Sequence, residues 1–248
     1  MRQLIIQKNK QTIHTKERWF QFAPPEGGEK QWVPLHSAYE FARYFELCDG
    51  FVPSAIDSFL DQLGIWSSRF DSEPERITSL FEHGFGKNGP RHHDLLMWND
   101  EVVVGIEAKA TETLDEYVTE KCKKNGAVHY TENQRKRYLG LCDKLLNRPI
   151  EECSSIRYQL LSATAGTLIE AERLGVGKAV VLVVLFKSEI VDEAHIQGTR
   201  QDIINFSEFL ERQPNGLYRT PFMPDIELSL GFVVVPLQGD EAPFIERI

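Results

Sequence analysis

The chain has 248 residues, 42% hydrophobic and 26% charged, a balance that excludes wholesale disorder and is enough for one buried core or at most two. Its longest apolar run, Ala179 to Phe186, is eight residues against the roughly 18 to 20 of a spanning helix, and the opening turns polar at Gln7, too early for a secretory signal; a cytoplasmic protein away from the membrane is expected. The net charge of −9 argues against coating nucleic acid by bulk electrostatics, yet the segment Lys87–Tyr138 holds nine basic and nine acidic residues, so the acidity lies outside the middle of the chain.

Residues 1–33 mix polar runs with Trp19, Phe20, Phe22 and Trp32 around Pro24-Pro25-Glu26-Gly27-Gly28 and read as an extended arm broken by a loop. After Pro34, Ser37 with Glu40 forms a capping-box pattern, and Ala38, Phe41, Ala42 and Phe45 make one helical stripe. A second helix is expected from Pro53 through Ile56, Phe59, Leu60 and Leu63 to Gly64. Arg76–Phe85 is ambiguous between helix and strand and is read as a strand. It leads into a hairpin: Asp94–Trp98, a turn at Asn99-Asp100, and Val102–Lys109. Helices are expected over 113–123, 131–146 and from Ser154 or Ser155 to Leu174, where Gly175 ends the last. Lys178–Phe186 is a strand buried on both faces, Thr199–Arg212 a helix, and Ile226–Leu237 a last strand. Helices interleaved with a mixed sheet make the fold class α/β, in a single domain over 1–248. Cys48, Cys122, Cys142 and Cys153 lie 74, 20 and 11 positions apart with no Cys-x-x-Cys pair, so neither a zinc knuckle nor a disulfide framework is implied.

The most informative feature is the pair of charges, Glu107 and Lys109, ending an otherwise apolar strand, with Asp94 beginning its hairpin partner. Buried charges cost several kcal/mol unless paired or metal-bound. A two-residue turn at Asn99-Asp100 pairs Trp98 with Glu101 and sets Asp94 opposite Gly105. Asp94, Gly105, Glu107 and Lys109 then share one face, with Asp94 diagonal to Glu107 and able to converge with it on one cation. A register shift of one residue would dismantle the arrangement.

An Asp followed on the next strand by Glu-x-Lys is the signature of the PD-(D/E)XK nuclease superfamily, with its restriction-endonuclease-like fold, which this chain resembles through Asp94 and Glu107-Ala108-Lys109. The order helix, three strands, helix, strand is similar to that family's core and covers residues 34–186, with 1–33 and 187–248 as N- and C-terminal elaborations. His93 precedes Asp94 and the nearest proline is Pro90, so only the Asp of the first half-motif is matched. The resemblance implies hydrolysis of phosphodiester bonds in nucleic acid, DNA ahead of RNA, with Mg²⁺ (or Mn²⁺) held by Asp94, Glu107 and the Ala108 backbone carbonyl. Lys109 would orient water or stabilise the charged transition state. It also implies a metal ligand on the first core helix, where Glu40 is best placed although capping is a sufficient job for it, and Glu82 competes if its segment is helical. Arg157 and Gln159, at the start of the long helix, become candidate substrate contacts, against a solvated first turn.

His92 shares the face parity of Asp94 and His93 does not, which leaves His93 structural. Lys121, Lys123, Lys124, Arg135, Lys136 and Arg137, with Tyr130 and Tyr138 for stacking, could line a phosphate-tracking groove or be the wet side of two helices. The plain alternative for the motif is a buried salt bridge of Lys109 with Glu107 or Asp94, in a catalytically inactive, nuclease-like nucleic-acid-binding or assembly protein. A metal-dependent hydrolase of small phosphoesters is a third option, and a homodimer stays open.

Overall fold

The computed structural model describes residues 1–87, 89–120, 123–124, 127–128, 131–238 and 241–248, without side chains over 121–130. It is an α/β protein. A ten-stranded mixed sheet runs in the order β2-β1-β3-β4-β5-β8-β11-β10-β9, with β12 paired to β11. The strands are β1 (Gln3–Lys8), β2 (Gln11–Thr12), β3 (Arg69–Thr78), β4 (Arg91–Trp98), β5 (Val103–Lys109), β8 (Lys178–Lys187), β9 (Glu211–Arg212), β10 (Tyr218–Arg219), β11 (Glu227–Pro236) and β12 (Phe244–Arg247); β6 (Lys123–Lys124) and β7 (Ala127–Val128) pair separately. The helices are α1 (Lys16–Phe22), α2 (Ser37–Glu46), α3 (Ser54–Gln62), α4 (Glu132–Gly140), α5 (Tyr158–Leu174) and α6 (Glu193–Ser207).

The centre of the sheet is β8, parallel to both β5 and β11, and its side chains show why helices must cover both faces. Ala179, Val181, Val183 and Leu185 pack into one core with α5 and α6, while Val180, Leu182, Val184 and Phe186 pack into another with α2 and α3. On β5 the same alternation sends Val104, Ile106 and Ala108 towards α2 and α3, and leaves Val103, Gly105, Glu107 and Lys109 on the side of α5. Gly105 is the close approach: a Cβ there would lie 2.1 Å from Thr167 Oγ1 of α5.

Several boundaries differ from the sequence expectations. Residues 1–33 are not an extended arm. Gln3–Lys8 joins the sheet parallel to β3, and Thr15, whose side chain accepts from the Arg18 N–H, caps α1. The strand read from Arg76 runs over Arg69–Thr78, with Pro74 inside it. Among the described residues, 113–120 contain no α-helix. Asp115 takes φ +59°, and Val118 and Tyr158 donate to the carbonyls of Ile156 and Glu116 (3.0 and 3.1 Å), which holds 156–158 extended and delays α5 to Tyr158. The sixth helix starts earlier than the expected Thr199, because Asp192 accepts from the His195 N–H at 2.8 Å and caps it, and Gly198 lies inside it. Ser37 does not form a capping box: the N-cap is His36, Ser37 Oγ donates to Glu112, and Glu40 Oε1 accepts from the Leu35 N–H at 2.9 Å. No helix of the described residues is long and apolar enough to cross a membrane.

Candidate active site

The β4–β5 turn sets the register of the motif. Asn99 Oδ1 accepts from the N–H groups of Glu101 and Val102 (2.8 and 2.9 Å), and the Asn99 N–H donates to the Val102 carbonyl. This closes a four-residue loop in place of the expected two-residue turn, and Trp98 pairs with Val103. The ladder continues to Leu95 opposite Ile106, so Asp94 comes opposite Glu107, not Gly105. Because the shift is of two residues, the face occupied by Glu107 and Lys109 is unchanged. Asp94 Oδ2 accepts from the Ala108 N–H at 2.7 Å, and Oδ1 accepts no hydrogen bond among the described residues.

A break in the β3–β4 ladder then brings in two residues that parity counting assigns elsewhere. Pro74 pairs with Leu95 and Arg76 with His93, but no pairing is made between Glu75 and Asp94, and Glu75 takes φ +47°. Before the break Phe70, Leu95 and Met97 belong to the core under α2 and α3. Beyond it Arg76 and Thr78 donate to Glu170 of α5, and His93 packs where Cβ atoms of Gly105 and Gly166 would stand. The strands have exchanged faces, so it is His93 that is buried on the α5 side, while His92 is exposed with its Nδ1 3.8 Å from Glu75. Neither ring nitrogen of His93 has a partner among the described residues, and burial holds its pKa well below the usual histidine range. The exchange also carries Arg91 onto Glu107.

Glu107 is fully buried, with both oxygens engaged: Arg91 Nη2 pairs with Oε1, and Gln159 Nε2 donates to Oε2 at 2.6 Å. Burial pushes its carboxyl above the usual range, against the pull of Arg91. Lys109 is 8% exposed and forms no ion pair or side-chain hydrogen bond among the described residues, so the salt bridge with Glu107 or Asp94 that stood as the plain alternative is not made at ion-pair distance. Glu75 is the other unexpected member. Burial, and then the charges of Asp94 and Glu107, push its carboxyl up to about 8.

These groups border a cavity of about 490 Å³ lined by Glu75, Arg91, Asp94, Lys109 and Gln159, with Trp32 of the N-terminal segment in its wall. Glu107 stands behind Arg91 and Gln159. A somewhat larger cavity, about 570 Å³, lies between β1 and α2, away from the hairpin. The oxygen donors of Asp94 and Glu107 are of the hard kind that suits Mg²⁺, which takes one or two carboxylates and keeps several waters. Among the described residues no group of three or more His, Cys, Asp or Glu side chains is arranged to hold a metal ion.

Of the remaining candidates, Gln159 joins the site. Arg157 does not: its Nε donates to Asp202 at 2.7 Å, and its guanidinium lies 3.8 Å from the Tyr117 ring centroid, a structural tie. Glu40 is buried with its oxygens on the Leu35 N–H and Arg43, outside the cavity lining, and Glu82 is exposed in the turn after β3. The basic cluster divides. Arg137 is buried and donates to the carbonyls of Phe85, Gly86 and Gly89, Lys136 pairs with Glu132, and Tyr138 is packed edge-on to Tyr158 instead of free to stack. The side chains of Lys121, Lys123, Lys124 and Tyr130 lie outside the described residues.

A family model described as Domain of unknown function (DUF6946) matches residues 12–236. No curated protein and no solved structure matches the chain. Since the match takes in most of the 248 residues and every strand that borders the cavity, the chain belongs to the DUF6946 family.

Proposed function

We propose that the chain is a metal-dependent nuclease with a restriction-endonuclease-like core, acting on DNA ahead of RNA. The layout supports this: α2 and α3, the antiparallel β3-β4-β5, then α5 and the parallel β8 follow the helix, three strands, helix and strand of the resembled superfamily. The observation that carries the reading is Lys109. A lysine only 8% exposed, with no ion pair or side-chain hydrogen bond among the described residues and only the longer-range attraction of Glu107 and Glu112, stands at a cavity it shares with Asp94, where a merely structural buried charge would be closely paired.

Asp94, held at Oδ2 by the Ala108 N–H and with no hydrogen bond to Oδ1 among the described residues, and Glu107 would hold Mg²⁺ or Mn²⁺. A divalent cation there supplies charge neutralisation at phosphate oxygens and activation of the attacking water. Lys109 holds its ammonium towards the same space, where it stabilises charge building on the phosphate. Gln159 orients Glu107 from α5. The cavity wall carries Glu26, Asp94, Glu112 and Asp115 against Arg91 and Lys109, a surplus of negative charge that repels a bare phosphodiester and favours one arriving with a cation.

The test is incubation of the purified protein with supercoiled plasmid, single-stranded DNA and RNA, in Mg²⁺, in Mn²⁺ and in chelator. Cleavage that needs the metal is expected; intact substrates under every condition would count against catalysis. One observation favours a second reading, a catalytically inactive nucleic-acid-binding or assembly protein on the same core: Arg91 and Gln159 already satisfy Glu107 without a metal. In that case binding without cleavage, indifferent to chelator, is the outcome.

A further inference from the structure

The Arg91–Glu107 pair is an unusual ion pair. Guanidinium groups commonly grip carboxylates through two parallel N–H donors. Here only Nη2 of Arg91 bonds Glu107, and Nε is buried with no acceptor among the described residues. The guanidinium is thus held to Glu107 through one of its donors, with Asp94 as a second nearby carboxylate, and it borders a cavity of about 490 Å³. Glu107, fully buried, is bonded at one oxygen by Arg91 and at the other by Gln159, and both of these residues line the cavity.

We propose that Arg91 is a displaceable counterion for Glu107: in the protein alone it neutralises and covers the carboxylate, and a divalent cation reaches Glu107 only as the guanidinium leaves it for the cavity. The proposal rests on the metal-binding part of the reading above and assigns Arg91 a positioning role. It explains why a carboxylate suited to Mg²⁺ is fully engaged in the protein alone. It also makes the site self-sealing, since one positive charge replaces another and Glu107 is never left bare.

The test pairs two measurements that do not depend on cleavage. Calorimetric titration of Mn²⁺ into the wild-type protein and into Arg91→Gln should give at least about tenfold tighter binding in the variant, since no side chain has to be displaced. A structural role for Arg91 would weaken binding instead. In the wild type labelled with ¹⁵N-arginine, the Arg91 Nε–H signal should shift saturably with Mg²⁺ at the midpoint of binding, a readout that survives even if Arg91→Gln fails to fold. Metal binding with a static Arg91 signal, or with equal or weaker Mn²⁺ affinity in the variant, overturns the counterion and leaves the metal site standing. No Mn²⁺ binding by either protein overturns the metal site and the counterion together.

Discussion

Glu107 and Lys109 sit two residues apart on one face of β5 and yet have opposite bonding: the carboxylate is fully satisfied and the ammonium is not. Their substitutions should therefore separate. Glu107→Ala leaves Arg91 buried without its partner and should lower unfolding free energy by about 3–5 kcal/mol in urea titrations; a change below about 1 kcal/mol would mean that the pair carries no weight. Lys109→Ala removes no ion pair and should stay within about 1 kcal/mol of wild type in the same titrations. Glu75 offers a pH test. Its carboxyl, pushed up to about 8 from 4.5 by burial and then by Asp94 and Glu107, binds its proton more tightly in the folded state. The stability it contributes is complete below pH 4.5 and is lost as pH rises through about 8. Relative to wild type, Glu75→Gln should gain about 4 kcal/mol between pH 5 and pH 8.5. A stability difference between the two proteins that is the same at both pH values would contradict the assignment.

Among the elements, the hairpin and α5 position the site together, and the contact that lets them do so is glycine. Thr167 packs over Gly105 while Gln159, two turns earlier on the helix, reaches Glu107, so α5 runs antiparallel to β5 and delivers its first turn to the motif. Gly105→Ala should lower stability by about 1–3 kcal/mol by forcing the helix off the strand. Gly166→Ala should be milder: its Cβ would meet His93 Nε2 at 2.8 Å, but the helix gains about 1 kcal/mol of propensity. Thermal melts of both variants check the order, and a Gly105→Ala protein as stable as wild type would contradict the close approach. The strands of the hairpin were legible from their apolar runs, and β8 from its eight unbroken apolar residues. The turn was not, because Asn99 caps it with a side-chain oxygen that Asn-Asp does not announce, and Glu107 and Lys109 keep the expected face of β5 because the difference is an even number of residues. The face exchange at Glu75 and Asp94 was illegible: a non-glycine residue at φ +47° leaves no mark in the sequence, and with it Arg91 was missed as the neighbour of Glu107, while Glu75 was missed because the strand was expected to begin only at Arg76.

For the molecule as a whole, the sheet continues past the motif on both sides. The N-terminal segment adds β1 next to β3 and sends Trp32 into the cavity wall, and the C-terminal segment adds β11 against β8, so the expected elaborations are parts of one sheet. Strands of two residues, β9 and β10, and the four-residue β12 are too short to show an alternation, which is why the far edge of the sheet could not be read in advance. What could be read is that charge had been placed where an apolar strand would do without it. The most direct measurement of the central claim is single-turnover cleavage of the preferred substrate in Mg²⁺ by wild type and Lys109→Met, with substrate binding measured separately. The account predicts a rate loss of at least about a hundredfold at nearly unchanged affinity. Equal rates in the two proteins, or no metal-dependent cleavage by either, would contradict it.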